Sequence, residues 1–200
     1  MEISLQNLDS HDTYKLLIGS VLPRPIAWVS TQNRAGELNL APFSFFNVVS
    51  IDPPVVGFSP LLKNDGSPKH TLLNIRATGE FVVNIASRLQ VEQMNQTSLD
   101  HAEGANEFEV AGLESAPSVC VRPPRVKSAL ISIECRLHEL ISFGDRPMAG
   151  NLILGRVIHI HAADRVYQDG GIDIAALDPV GRLAGNRYST IRDQFELLRE

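Results

Sequence analysis

The most regular alternation of apolar and polar residues in the chain runs from residue 128 to residue 141. One set of positions carries Ala129, Ile131, Ile133, Cys135 and Leu137, and the intervening set carries Ser132, Glu134, Arg136 and His138. A period of two places the two sets on opposite faces of a β-strand. The pattern therefore predicts one long strand with an apolar face and a polar face.

Shorter apolar and β-branched runs predict five further strands, separated by turn signals. They cover residues 26–31, 38–46, 55–59, 80–87 and 151–161. Gly36 suits the hairpin between the first two runs, because glycine tolerates a positive φ. Gly155, inside the last run, predicts a bulge or a close approach of the backbone to a neighbour. An Asp-Pro-Pro corner precedes the third run.

Helical patterns are fewer and lie between or after the strands. The sequence predicts helices over residues 70–77, 89–98, 172–177 and 192–200, the first closed by Gly79 as a C-cap. Many strands, short connections and few helices indicate a mainly β fold. We expect an antiparallel Greek-key barrel with peripheral α-helices rather than a doubly wound parallel sheet. No repeat or linker divides residues 1–200, so we expect a single domain.

Composition narrows the function classes only slightly. The 200 residues are 44% hydrophobic and 20% charged, with a formal net charge of -5, which argues against a general nucleic-acid binder. The N-terminal residues lack the pattern of a signal peptide, and no apolar stretch is long enough to span a bilayer. Cys120 and Cys135 show no metal-ligand spacing and are interpreted as free thiols. These features predict a cytoplasmic protein without membrane segments.

The segment from Asn39 to Pro54 starts as a strand and is then interrupted. Pro42 has no backbone donor, and Ser44 and Asn47 place polar groups among three phenylalanines. An interrupted ladder leaves backbone groups that need other partners. Two interpretations stay open at this point. The break holds a flat heteroaromatic ligand with polar edges, or it is a plain bulge in which Ser44 and Asn47 make internal turn bonds.

Five motifs occur in an order and spacing that resemble a known family. They are PRPIAWVST, LNLAPFSFFNVVSIDPP, GEFVVNI, GNLILGRV and PVGRLAGNRY. Together they resemble the flavin reductase-like, FMN-binding split-barrel family, and in particular its flavoredoxin-type members, from about Leu22 to Tyr188. The resemblance implies a six-stranded split barrel that forms a homodimer and binds FMN near the subunit interface.

The same resemblance implies cofactor-binding positions. The residues implied to contact the flavin or its ribityl chain are Val29, Ser30 and Thr31, and those implied to line the isoalloxazine are Ala41, Phe43, Ser44, Phe45 and Asn47. Lys69, His70 and Thr71 are implied to approach the phosphate, although His70 stands where the family pattern has an acidic residue. Arg182 and Tyr188 belong to a C-terminal segment, about residues 178–200, implied to close over the barrel or the partner subunit.

The implied function is an FMN-binding oxidoreductase that passes hydride or electrons through the flavin, with NADH or NADPH as the donor. The alternative is a non-catalytic flavoredoxin-type carrier or flavin-binding module that receives electrons from a redox protein. The chain has no GxGxxG motif, so a nicotinamide would bind without a Rossmann fingerprint. No catalytic acid or base is assigned, since the flavin carries the chemistry.

Two small clusters have both a structural and a functional interpretation. His159 and His161 share a strand face, but no nearby Cys, Asp or Glu in sequence completes a metal site, so we interpret them as exposed strand histidines and expect no metal. Arg122, Arg125 and Lys127 surround a Pro-Pro pair. They form either a solvated turn or a docking point for a nicotinamide phosphate or an acidic redox partner.

Overall fold

The computed structural model describes residues 1–99, 101 and 104–198. Its helices are α1 (Ser10–Ser20), α2 (His70–Thr78), α3 (Val91–Gln96), α4 (Glu107–Val110) and α5 (Ile174–Leu177), with 3₁₀ turns at Leu5–Asn7 and Arg88–Gln90. The strands of the main sheet are β1 (Ala27–Gln32), β2 (Leu38–Phe43), β3 (Phe46–Ile51), β4 (Pro54–Phe58), β5 (Glu80–Ile85), β8 (Ile131–Ser142) and β9 (Asn151–Ala162). Three short pairs complete the fold: β6 (Ser115–Ala116) with β7 (Arg125–Val126), β10 (Tyr167–Gln168) with β11 (Gly171–Ile172), and β12 (Val180–Arg182) with β13 (Tyr188–Thr190).

The main sheet is antiparallel and has the order β2-β1-β5-β8-β9-β4-β3. Its two edge strands, β2 and β3, are consecutive in the chain and are separated only by Ser44 and Phe45. Seven strands spaced about 4.8 Å apart would place the edges of a flat sheet about 29 Å apart. The chain from Phe43 to Phe46 can reach about 11 Å at most. The sheet must therefore curl until its edges nearly meet.

This geometry confirms the mainly β, antiparallel barrel that the sequence predicts. The expected single strand over residues 38–46 is two strands, β2 and β3, which belong to opposite edges of the sheet. The Phe45 carbonyl, at the break, accepts a hydrogen bond from the Ser59 N–H at 2.9 Å, just beyond the end of β4. The break is thus the point where the two edges of the sheet meet and where the strand ladder is interrupted.

Aromatic side chains fill the interior of the barrel. The Phe58 ring packs against Phe43 and Phe81, with centroid distances of 5.3 and 5.5 Å. Leu72 and Ile75 of α2 are completely buried in the same cluster. A second cluster surrounds Trp28, whose indole N–H donates to the Thr97 hydroxyl at 2.9 Å. Consecutive residues of β1 therefore point into two different cores.

The predicted long strand is β8, which pairs along its whole length with β9. Gly155, in β9, confirms the predicted close approach, because a Cβ at this position would lie 2.2 Å from Cζ of Phe81. The period of two in β8 holds from Ile131 to Leu137, and a shift in register before Glu139 then interrupts it. Its polar positions Ser132 and Glu134, however, are buried. The Ser132 hydroxyl bonds to Asn84 of β5, and the Glu134 carboxylate accepts N–H groups of the loop that precedes β8.

The helix predictions have mixed outcomes. Helix α2 ends as predicted at Gly79, which adopts a φ of 71°, and residues 88–96 form a 3₁₀ turn followed by α3. The helix predicted over residues 192–200 is wrong for residues 192–198, which contain no helix, while residues 199 and 200 lie outside the described part of the chain. Phe195, Leu197 and Leu198 are highly exposed there. Short helices need a packed face, and this segment has none.

Among the described residues, no helix has both the length and the apolar character needed to cross a bilayer.

The Gly155 approach gives a direct test of the core. We expect Gly155→Ala to lower the free energy of unfolding by about 1–3 kcal/mol, since the new methyl group must displace the buried Phe81 ring. Chemical denaturation measures this change. Gly19→Ala, on exposed α1 with nothing within 4 Å of its added Cβ, is the matched control and should leave stability unchanged or slightly higher. Equal effects of the two substitutions would contradict the packing described here.

Candidate functional site

A surface cavity of about 180 Å³ lies at the start of α2, beside β2. Four residues implied to bind the cofactor line it: Ala41, Lys69, His70 and Thr71. The other lining residues are Asn39, Pro42, Lys63, Thr97, Ser98, Leu99, His101, Ala105 and Glu107. The chain thus brings together the proposed phosphate-binding residues and the strand that leads into the break.

The cavity favours an anion at the N-terminus of α2. The first N–H groups of a helix have no intrahelical acceptor, and the helix dipole adds partial positive charge there. Lys69 occupies the N-cap and makes no side-chain capping hydrogen bond to α2. Its ammonium lies 5.8 Å from the centroid of the Phe43 ring. Lys63 adds a second cation to the lining.

Buried hydrogen bonds fix the floor of this cavity. The Asn39 amide donates to the Thr71 hydroxyl at 2.9 Å, which joins β2 to the first turn of α2. One turn later, the Asn74 amide donates to the Thr31 hydroxyl at 3.0 Å, which joins α2 to β1. All four of these residues are buried. The start of α2 is therefore held rigidly against the sheet.

The side chains of Val29, Ser30 and Thr31 are fully buried in this single chain and do not line the cavity. Val29 points into the barrel core. The Ser30 hydroxyl donates to the carbonyl of Pro124 at 2.5 Å. Thr31 accepts from Asn74, as described above. The structure therefore buries all three side chains, and Thr31 is bonded to α2 through Asn74.

At the break, side chains make several local contacts. The Ser44 hydroxyl accepts from Nε of Arg24 at 3.3 Å, and the exposed Asn47 side chain accepts the N–H of Val48 at 2.8 Å. The Phe45 ring packs on Tyr14 of α1, with centroids 6.4 Å apart. These bonds agree with the internal contacts of the bulge interpretation. Ala41 and Pro42, which precede Phe43 and the break, lie on the cavity surface.

Arg24 is a structural residue that the sequence reasoning missed. Its buried guanidinium donates to the carbonyls of Ile18, Val21 and Leu183, at 2.7, 2.9 and 3.2 Å. Burial lowers the pKa of this guanidinium. Together with its bond to Ser44, Arg24 connects α1, the break and the C-terminal segment. The only available signal was its position between Pro23 and Pro25.

The C-terminal residues Arg182 and Tyr188 face each other across the β12–β13 pair. The Arg182 guanidinium lies 4.6 Å from the centroid of the Tyr188 ring, and its Nη2 donates to the Gly185 carbonyl at 2.7 Å. The Tyr188 hydroxyl donates to Asn95 of α3 at 3.0 Å. Neither residue lines the cavity, but α3 leads directly into Thr97, which does.

Glu134 forms a second polar centre that sequence spacing did not reveal. Its completely buried carboxylate accepts the N–H groups of Val119, Cys120 and Val121, and it contacts Nε2 of His161 at 2.5 Å. Burial alone would raise the pKa of Glu134, but the N–H groups and the imidazole outweigh it and hold that pKa below its usual value. The interpretation of His161 as an exposed strand histidine is therefore wrong. The partner lies on the neighbouring strand and is distant in sequence.

The basic loop around residues 122–127 is largely paired. Nε of Arg122 lies 3.1 Å from Oε2 of Glu80, and Nζ of Lys127 lies 2.6 Å from Oε2 of Glu114. Both are surface pairs of the kind that contribute little to stability. Nε of Arg125 is buried and has no hydrogen-bond partner among the described residues. These contacts favour the solvated-turn interpretation for Arg122 and Lys127.

Comparison with known proteins decides the family. Residues 18–176 match the family described as "Flavin reductase like domain". The chain belongs to the flavin reductase-like family. An uncharacterized protein of Halalkalibacterium halodurans is 43% identical over 199 residues, covering 98% of this chain and 95% of the relative. The family is one of flavin oxidoreductases, in agreement with the motifs described above.

Solved structures show the same fold. Nitrilotriacetate monooxygenase component B from Bacillus cereus is 38% identical, with a TM-score of 0.93 and 98% coverage of both chains. The Pseudomonas fluorescens 2-nitrobenzoate 2-nitroreductase NbaA is 29% identical, with a TM-score of 0.90, covering 100% of this chain and 96% of its own. Flavoredoxin of Desulfovibrio vulgaris, at 21% identity and a TM-score of 0.77, covers 98% and 97% and supports the fold alone.

Proposed function

We propose that this protein is an FMN-binding oxidoreductase that takes electrons from NADH or NADPH. The observation that carries the proposal is the cavity at the uncapped start of α2, which opens beside the interrupted strand. Two cations, Lys63 and Lys69, line it together with one acidic residue, Glu107. A phosphate needs N–H donors and positive charge, and a planar ring needs an apolar surface with backbone polar groups nearby. Family membership makes a flavin the ligand that unites the two requirements.

The residues of the cavity fit the phosphate end of FMN. The backbone N–H groups of His70 and Thr71 would donate to the phosphate, with Lys69 and Lys63 supplying charge. The rigid Asn39–Thr71 hydrogen bond keeps these donors in place before the ligand arrives. His70, in place of an acidic residue, removes a repulsive charge from the same position. We assign the phosphate to this end of the cavity.

The ring is assigned to the surface around the break. Ala41 and Pro42 lead from the cavity toward Ser44, Phe45 and Asn47, where β2 ends and β3 begins. When bound, the flavin supplies hydride and single-electron transfer. The protein's part is to hold the ring edge, to hydrogen-bond its polar atoms from the interrupted backbone and to exclude water. We assign no side chain as a catalytic acid or base.

The competing function is electron carriage without nicotinamide turnover. Flavoredoxin shares the fold, but the more similar solved structures are a monooxygenase component and a nitroreductase. The greater similarity to these two proteins favours the enzyme over the electron carrier. We infer that a nicotinamide is the electron donor. Since the chain has no Rossmann fingerprint, we expect the nicotinamide to bind directly against the exposed side of the flavin rather than in a dinucleotide-binding motif.

We also propose a homodimer in which the partner covers the flavin. The cavity, at about 180 Å³, is smaller than the roughly 300–1,000 Å³ that encloses a drug-sized ligand. Edge strand β3 exposes Val48, Val49 and Ile51, the last with 82% of its surface accessible. An exposed apolar edge strand favours pairing or coverage by a second copy. Coverage there would enclose the ring beside the break.

The phosphate assignment predicts that FMN binds more tightly than riboflavin. Lys69→Ala should weaken FMN about tenfold, the effect of one lost charge-assisted contact, while changing riboflavin affinity little. Fluorescence titration of both flavins measures the two affinities. Lys15→Ala, which removes an exposed lysine of α1, is the control for net charge. Equal losses for FMN and riboflavin would remove phosphate recognition from the proposal.

The enzyme and carrier functions separate under anaerobic conditions. We expect NADH or NADPH to bleach the flavin absorbance of the FMN-loaded protein at a rate typical of enzyme turnover, about 1 per second or faster. Stopped-flow absorbance records the rate for each nicotinamide, and dithionite gives the fully reduced reference. Reduction by dithionite or a protein donor alone would establish the carrier instead.

The dimer is tested by charging its proposed interface. Val48→Glu combined with Ile51→Glu should yield a monomer with weakened FMN binding, because the partner would no longer cover the ring. Light scattering after gel filtration gives the oligomeric state, and flavin titration gives the affinity. Leu89→Glu, at a position with 87% exposure outside the sheet, is the control. A wild-type monomer with full FMN affinity would rule out the shared site.

A further inference from the structure

Two histidines and one buried carboxylate meet on the β8–β9 hairpin, outside the lining of the flavin cavity. Strand pairing places Glu134 opposite His159 and Ser132 opposite His161. A shift in register next to Glu134, between Glu134 and Cys135, marks a bulge at this point of the hairpin. Bulges re-aim side chains, and here both imidazoles lie beside the same carboxylate.

We propose that Glu134, His159 and His161 form a binding site for a divalent transition-metal ion of the Zn²⁺ type. One ligand atom from each residue lies within 4.8 Å of the others. Zinc bonds of about 2.0–2.2 Å to nitrogen and oxygen place tetrahedral ligand atoms about 3.3–3.6 Å apart. The Glu134–His161 contact of 2.5 Å must open by about 1 Å, and the histidine rings must move by a similar amount.

The carboxylate is prepared as an anionic ligand. Oε2 of Glu134 accepts from Cys120 and Val121, and Oε1 accepts from Val119. These three bonds hold the carboxylate ionised and fix its orientation, which is the role of supporting hydrogen bonds around metal ligands. The remaining direction on Oε1 points to Nε2 of His161. A metal ion would occupy that direction in place of the hydrogen bond.

Both imidazoles are partly accessible to solvent, so a metal ion from solution can reach them. The His161 side chain is 21% exposed, and His159 is also half-buried. Their ring centroids are 4.7 Å apart at an interplanar angle of 68°, and His159 makes no ring hydrogen bond to any described residue. Within residues 1–99, 101 and 104–198, no fourth Cys, His, Asp or Glu joins the group. Three protein ligands with a solvent position define an open zinc site.

Metal titration of the 200-residue protein, stripped with chelator, tests the site. Calorimetry should show one Zn²⁺ per chain, and Co²⁺ should give the visible d–d absorption of a tetrahedral site. His159→Ala and His161→Ala should each weaken Zn²⁺ binding at least tenfold and abolish the Co²⁺ spectrum, since loss of even a supporting residue costs 10–100-fold. His159→Ala is the more informative variant, because it removes no hydrogen bond found in the structure.

Two controls separate this site from incidental binding. His138→Ala removes an exposed histidine of β8, and Cys120→Ser removes the thiol of a residue whose backbone N–H donates to Glu134; both should keep the wild-type Zn²⁺ affinity. Absence of Zn²⁺ binding by the wild-type protein would overturn the proposal and leave a hydrogen-bonded Glu–His pair. Binding that survives in both histidine variants, or disappears in Cys120→Ser alone, would overturn it as well. Flavin affinity, measured in parallel, is expected to be unchanged in every variant.

Discussion

One covalent constraint shapes the whole barrel: a two-residue link joins the opposite edges of a seven-stranded sheet. Because Ser44 and Phe45 cannot bridge a flat sheet, β2 and β3 must approach each other. The neighbouring backbone then cannot pair fully with either edge. A pairing defect at this link follows from closure itself, and the candidate cavity opens beside the strand that leads into it.

The regions around the link are held by polar contacts as well as by the aromatic core. Arg24 joins the Ser44 hydroxyl to the end of α1 and to the carbonyl of Leu183. Glu134 similarly collects three N–H groups from the loop before β8. Each buried charge is compensated by several hydrogen bonds, which is the condition under which burial of a charge is tolerated. Loss of either centre would free a segment next to the barrel.

Sequence patterns predicted the structural features that depend only on residues close together in the chain. The alternation in β8, the Gly79 cap and the close approach at Gly155 all follow from period or backbone freedom. The pairing of Glu134 with His161 depends on strand register and a bulge, which no spacing in the sequence displays. The predicted C-terminal helix failed because helical propensity without a packed face is insufficient. In the cavity, motifs identified Lys69 and Thr71, whereas the contributions of Asn39 and Lys63 required the fold.

The start of α2 differs from the starts of several other helices in a way that supports the proposed anion site. Helices α1, α4 and α5 are each preceded by an Asp or Asn whose side chain accepts a backbone N–H. Helix α3, which continues a 3₁₀ turn, has no side-chain cap. Such a cap contributes about 1 kcal/mol. Helix α2 has Lys69 at that position and no side-chain cap. A carboxylate there would satisfy the same N–H groups but would repel a phosphate. Lys69 offers the N–H donors no side-chain acceptor and adds positive charge, so the proposed phosphate, when bound, would offset the local loss of helix stability.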